Sequence, residues 1–227
     1  MDFSKHEKLF YPRNEKLEGE YKLWYNDENL WIHEFYRDGK LEGERKEWHE
    51  NGQIYRNEFY RAGERDGKYE SWYANGQPQV QVCYRNGKKE GEQKFWYNDG
   101  FLQEREFYRD GKLDGERKSW YGNGQLLIHE FYRAGEREGD HKSWYSDGRP
   151  RVCEFYRNGK LEGRNRYWCV TGFCLNQYRI NGQLIDGYFN TEKRLTSNRI
   201  SKNYRKCVTD LTNIALIPDL MNIVSQF

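Results

Sequence analysis

The stretch FYRDGKLEGERKEWHENGQI, residues 35–54, carries the three glycines and the tryptophan of a motif that recurs along the chain. Asn51-Gly52 within it is a hairpin signal, because a type I′ turn needs positive φ at both central residues. Trp, Tyr, Phe and Ile flank it in short runs, which favour strands. No helical period interrupts such runs before about residue 205. Asn75-Gly76, Asp99-Gly100, Asn123-Gly124 and Asp147-Gly148 repeat the turn signal.

The period is 24 residues: Trp24, Trp48, Trp72, Trp96, Trp120, Trp144 and Trp168 keep it without a slip. Gly19, Gly43, Gly67, Gly91, Gly115, Gly139, Gly163 and Gly187 keep the same step, and two further glycine columns run through Gly52 and Gly39. Within this lies a period of 72, since Asp38, Ala62 and Asn86 recur as Asp110, Ala134 and Asn158, and Pro78 recurs as Pro150. Residues 18–89 and 90–161 read as two copies of one three-repeat block. The seventh repeat is degraded, with Cys169, Val170 and Thr171 in place of turn residues and one residue inserted around Ile185. The expected organisation is a lead-in at 1–17, seven repeats at 18–187, and a C-terminal segment at 188–227.

Each repeat reads as one β-hairpin, and joined edge to edge the hairpins form an elongated antiparallel meander of roughly 65 Å. A two-residue loop at Asn51-Gly52 places Trp48 opposite Tyr55, Lys46 opposite Asn57 and Glu44 opposite Phe59. Trp48 and Phe59 then share one face, and His49, Ile54 and Tyr60 share the other. Propagated by 24, both faces carry aromatic columns.

Mean hydropathy is −1.21, yet 8 Trp, 19 Tyr and 12 Phe argue for order rather than disorder. The balance is a folded, thin, highly solvated architecture. No run approaches 18 apolar residues and the start lacks an apolar signal core, so neither a membrane span nor secretion is indicated. Five cysteines without regular spacing fit reduced thiols in a cytoplasmic setting.

The unit Gly-x-x-x-x-Trp-Tyr-x-Asn-Gly-Gln-Leu followed by Tyr-Arg-Asn-Gly-Lys-Leu-Glu-Gly resembles the MORN repeat in its variant form, over about residues 9–187. The most regular copies resemble MORN-repeat proteins of large DNA viruses of the marseillevirus type. The resemblance implies an antiparallel β-repeat that serves binding: members contact acidic phospholipid, dimerise or scaffold proteins, and some bacterial variants are described as antitoxins. A viral origin would place the chain in the infected cell or the virion. Glu28, in the second-glycine position of the first unit, and the seventh unit depart from the pattern.

The acids before the first glycine, Glu42, Asp66, Glu90, Asp114, Glu138 and Glu162, recur in every repeat, which speaks for a turn role and against a unique catalytic pair. His6, His33, His49, His129 and His141 show no metal spacing, and Cys169 with Cys174 has no second pair. No nucleotide-binding or hydrolase motif is present. The expectation is a non-enzymatic chain with no cofactor and no small-molecule substrate. The column Arg37, Arg61, Arg85, Arg109, Arg133 and Arg157 beside tyrosines suggests nucleic acid, but Glu34, Glu58, Glu106, Glu130 and Glu154 oppose it and read as charge-paired sheet surface. Candidate interaction residues are Tyr25, Tyr73, Tyr97, Tyr121, Tyr145, Tyr60 and Tyr132, toward a protein partner or a second copy.

Residues 191–207 carry Lys193, Arg194, Arg199, Lys202, Arg205 and Lys206 against Glu192, a net of +5. Beyond them Leu220, Ile223, Val224 and Phe227 have helical spacing. The expected role is a helical cap over the open sheet edge. Two alternatives are a peripheral anchor on anionic phospholipid and an F-box-like adaptor helix.

Overall fold

A computed structural model describes residues 16–26, 28–170 and 174–190, the last five as backbone alone. The basic segment, the expected helical cap and the first 15 residues lie outside the described residues. The fold is an antiparallel β-hairpin meander of 19 strands, with no helix among the described residues.

The chain divides into two units, Met1–Asp114 and Gly115–Phe227. The first holds β1 (Gly19–Trp24), β2 (Leu30–Arg37), β3 (Lys40–Leu41), β4 (Gly43–Trp48), β5 (Ile54–Arg61), β6 (Glu64–Trp72), β7 (Pro78–Arg85), β8 (Lys88–Lys89), β9 (Gly91–Trp96), β10 (Leu102–Arg109) and β11 (Lys112–Leu113). The second holds β12 (Gly115–Trp120), β13 (Leu126–Arg133), β14 (Glu136–Trp144), β15 (Pro150–Arg157), β16 (Lys160–Leu161), β17 (Gly163–Trp168), β18 (Cys174–Ile180) and β19 (Gln183–Asn190).

Two kinds of turn alternate, and the type I′ turn is not where the sequence places it. At the Asn-Gly site Gly52 alone has positive φ (+79°). Its N–H donates to His49 O at 2.9 Å, and the His49 N–H donates to Gln53 O at 2.8 Å. This is the three-residue loop in which a left-handed glycine follows a type I turn. The longer loop shifts the register: Glu44 faces Phe59 and Lys46 faces Asn57 as expected, but Trp48 faces Ile54, leaving Tyr55 as the extra residue of a bulge. Trp31, Gln79, Gln103, Leu127 and Arg151 occupy the same bulge in other repeats. Between β17 and β18 Trp168 faces Cys174 and Tyr167 faces Leu175 with no residue skipped. The inserted residue near Ile185 appears instead as a bulge between β18 and β19.

The type I′ turns sit at the third glycine, where both central residues have positive φ: Ala62 +51° with Gly63 +88°, and likewise Asp38-Gly39, Asn86-Gly87, Asp110-Gly111, Ala134-Gly135, Asn158-Gly159 and Asn181-Gly182. The turns at Gly39, Gly63, Gly87, Gly111, Gly159 and Gly182 are clamped to the preceding repeat. The Ala62 N–H donates to Glu42 Oε2 at 2.8 Å and the Gly63 N–H donates to Leu41 O at 2.9 Å. Glu18, Glu90, Glu138 and Glu162 hold the turns at 38, 110, 158 and 181 in the same way. Where it is a glutamate, the recurrent acid therefore joins one repeat to the next; Asp66 pairs instead with Arg61.

In each unit one face of the sheet carries the buried side chains. Ile32 and Val82 in the first unit, and Val152, Tyr156, Tyr167 and Leu175 in the second, are among its apolar members. Most of its other members are polar, among them Glu34, Glu47, Glu58, Glu106, Glu130 and Glu154. The glutamate column expected at the surface is buried: Glu34, Glu58, Glu130 and Glu154 meet cations or hydroxyls of their own and neighbouring strands, which replace water as their partners.

Candidate interaction surface

Within each unit strand pairing sets buried glutamates in a row. In the first unit Arg45 faces Glu58, Glu58 faces Tyr69, Tyr69 faces Val82, and Gln93 faces Glu106. Arg45 donates through Nε to Glu34 and through Nη1 to Glu58, each at 2.8 Å, and its remaining nitrogen pairs with Glu47. Glu47 also accepts from Arg56 at 2.5 Å, and Glu58 accepts from Arg65 at 2.9 Å. Burial opposes ionisation of Glu58, but bonds and charges from Arg65, Arg56 and Arg45 outweigh it and hold its pKa below the ordinary value.

The second unit is wired differently at matching positions. Arg117 faces Glu130, Glu130 faces His141, and His141 faces Glu154. Glu130, fully buried, accepts from Arg117 at 2.6 Å and lies 2.7 Å from His141 Nδ1 and 3.1 Å from Arg137. Burial again opposes ionisation, and His141, Arg117 and Arg137 together bring the Glu130 pKa down to about 2. Tyr156 donates to Glu154 at 2.9 Å; burial first, then that carboxylate, pushes its phenol up to about 12. Positions 72 apart change together across facing pairs: Tyr69 with Val82 becomes His141 with Glu154, and Glu47 with Arg56 becomes Ser119 with Ile128.

In each unit the opposite face is left largely to solvent. Phe35, Phe59, Phe131 and Phe155 on it are 36–38 % exposed. Beside them run acid–lysine pairs two residues apart, Glu20–Lys22 at 2.9 Å, Glu44–Lys46 and Glu92–Lys94 at 2.7 Å in the first unit, Glu116–Lys118 at 2.7 Å and Asp140–Lys142 at 2.8 Å in the second. His33 packs on Phe35 with ring centroids 4.8 Å apart, and His129 on Phe131 at 5.0 Å. These two histidines bond to Glu20 and Glu116 and are surface members of this face. Among the described residues no three His, Cys, Asp or Glu side chains are placed to hold a metal ion.

The tyrosines singled out in the sequence fall into two groups, both half-buried. Tyr25, Tyr73, Tyr121 and Tyr145 donate their hydroxyls to the main-chain oxygens of Trp48, Trp96, Trp144 and Trp168, one repeat on, at 2.7–3.0 Å. Tyr97 holds the matching position. Tyr60 and Tyr132 lie on the enclosed face beside Glu58 and Glu130, and Tyr132 donates to Glu130 at 3.1 Å. Arg37, Arg61, Arg85, Arg109, Arg133 and Arg157 are exposed next to the type I′ turns, with Arg61 paired to Asp66 at 3.1 Å. Trp31 escaped the sequence reading. Its signal was present: it alone of the eight tryptophans stands outside the 24-residue column.

The model of the MORN repeat variant matches four successive stretches, residues 41–62, 65–86, 89–110 and 113–134. Each runs from the strand after one type I′ turn to the next such turn, so the matched unit is the structural unit. No curated protein matches the chain.

Proposed function

We propose that this array of MORN-variant repeats is a non-enzymatic interaction scaffold, in which the phenylalanine-bearing face of each unit binds a protein partner or a second copy. One observation carries the reading. The enclosed face spends its charges on its own neighbours, whereas the outer face presents phenylalanines at more than a third of their full exposure between alternating acids and lysines. Exposed aromatics ringed by charge are the composition of a binding patch. No described helix is long and apolar enough to cross a membrane.

The test compares the full chain with a Phe35→Ser/Phe59→Ser/Phe131→Ser variant, in sedimentation velocity and in affinity capture from cells that make the protein. Expected is a self-association, or a stoichiometric partner, that the variant loses while its thermal unfolding stays cooperative. A monomer whose captured proteins are the same for both chains would overturn the proposal.

A further inference from the structure

The repeat-invariant residues are consumed by the fold, so specificity must come from positions that differ between repeats. The bulge position is the clearest of these. It reads Trp31, Tyr55, Gln79, Gln103, Leu127 and Arg151 along the chain, and only the first two are aromatic. Bulges re-aim a side chain out of the pleat, and Trp31 and Tyr55 are 37 % and 38 % exposed. Each rests on the aromatic ring six residues before it: Trp31 on Tyr25 with centroids 5.7 Å apart, Tyr55 on His49 at 5.0 Å. The Tyr25 hydroxyl bonds to Trp48 O, which ties the first pair to the second.

Two antiparallel strands separate one aromatic pair from the next, a step of roughly 9.6 Å. Polyproline II advances about 9.3 Å in each three-residue turn. A polyproline II segment running across the strands thus sets every third residue over a successive pair. Such a helix leaves its backbone solvated and docks on aromatic surfaces at little ordering cost. The charge beside the pairs is negative. Glu28 and Glu50 are exposed in the two adjacent turns, and Glu50 lies close enough to Tyr25 to raise its phenol pKa, after the larger effect of burial. Arg56 lies over the Tyr55 ring, 5.9 Å from its centroid, with its charge paired to the buried Glu47.

We infer that Tyr25, Trp31, His49 and Tyr55 form a docking site for a proline-rich segment in polyproline II conformation that carries arginine or lysine beside its prolines. The site goes beyond the phenylalanine face proposed above and lies at the Asn-Gly-turn end of the strands. Failure of a proline peptide to bind therefore leaves the test of that face standing.

The experiment titrates the full chain into a fluorescently labelled peptide of two arginines and nine prolines, read by anisotropy. A control peptide keeps the arginines and replaces the prolines with alternating glycine and serine. Expected is saturable one-to-one binding to the proline peptide, weakened at least about tenfold by Trp31→Ala or Tyr55→Ala and left unchanged by Gln103→Ala at the same bulge of another repeat. Glu28→Gln/Glu50→Gln alters only exposed side chains and is expected to weaken binding and flatten its dependence on salt. Absence of saturable binding, equal affinity for the glycine-serine peptide, or equal loss with Gln103→Ala would overturn the inference.

Discussion

Gly63 and Gly67 stand four residues apart and meet different demands. Gly63 supplies the second left-handed position of a type I′ turn, φ +88°, with Lys40 Cβ of the preceding repeat 3.5 Å from where a methyl would lie. At Gly67, φ +136°, that methyl would sit 2.9 Å from Phe59 Cβ. Gly67→Ala is therefore expected to cost more than Gly63→Ala, the latter about 1–2 kcal/mol. Gly122→Ala, where φ is not positive and space is open, is expected within about 0.5 kcal/mol of neutral. Urea unfolding of the three variants ranks them. Arg45→Met leaves Glu34, Glu47 and Glu58 buried without their shared cation and is expected to cost about 3–5 kcal/mol. A loss under 1 kcal/mol in the same assay would show that the row is hydrated rather than enclosed.

At the scale of paired strands, the duplicated block supplies its own control. Tyr69 with Val82 is an apolar pair where His141 with Glu154 is an ionisable one. His141→Tyr or Glu154→Val alone leaves half of a buried pair, whereas the double variant restores the combination found 72 residues earlier. The double variant is expected to be more stable than the sum of the single losses by about 1 kcal/mol or more, measured as a double-mutant cycle. Glu130 gives this unit its acid sensitivity. Its folded pKa of about 2 lies below the ordinary glutamate value of 4.5, so it stabilises the fold fully above pH ~4.5. That contribution, on the order of 3 kcal/mol, fades as pH falls toward 2. Glu130→Gln is expected to be less stable at pH 7 and to lose less stability on acidification, as pH-resolved denaturation would show.

The repeat, its period and its strand content were legible in the whole sequence because glycine and tryptophan keep a 24-residue step. Lys46–Asn57 and Glu44–Phe59 were legible too, since alternation carries register away from a turn. Trp48–Tyr55 was not. Asn-Gly suits both a two-residue type I′ loop and a three-residue loop with a left-handed glycine, and the choice decides which residue bulges. Burial of the glutamates was hidden for a related reason: a carboxylate column reads as solvated until strand pairing shows Arg45, Arg65, Arg117 and Arg137 between its members. Of the candidate site, Tyr25 was visible by periodicity, while Trp31 and Tyr55 depend on the bulge. Because the enclosed charges are shielded and the exposed pairs weak, thermal stability at neutral pH is expected to change little between low and high salt. A steep fall with salt would place the stabilising charges at the surface.

Hydroxyl-radical footprinting of the free full chain, read residue by residue by mass spectrometry, tests most directly the division into one face used by the fold and one left for a partner. Phe35, Phe59, Phe131, Phe155 and Trp31 are expected to oxidise readily, with Tyr167 and Leu175 protected. Protected phenylalanines, or a Tyr167 that reacts as fast as they do, would contradict it.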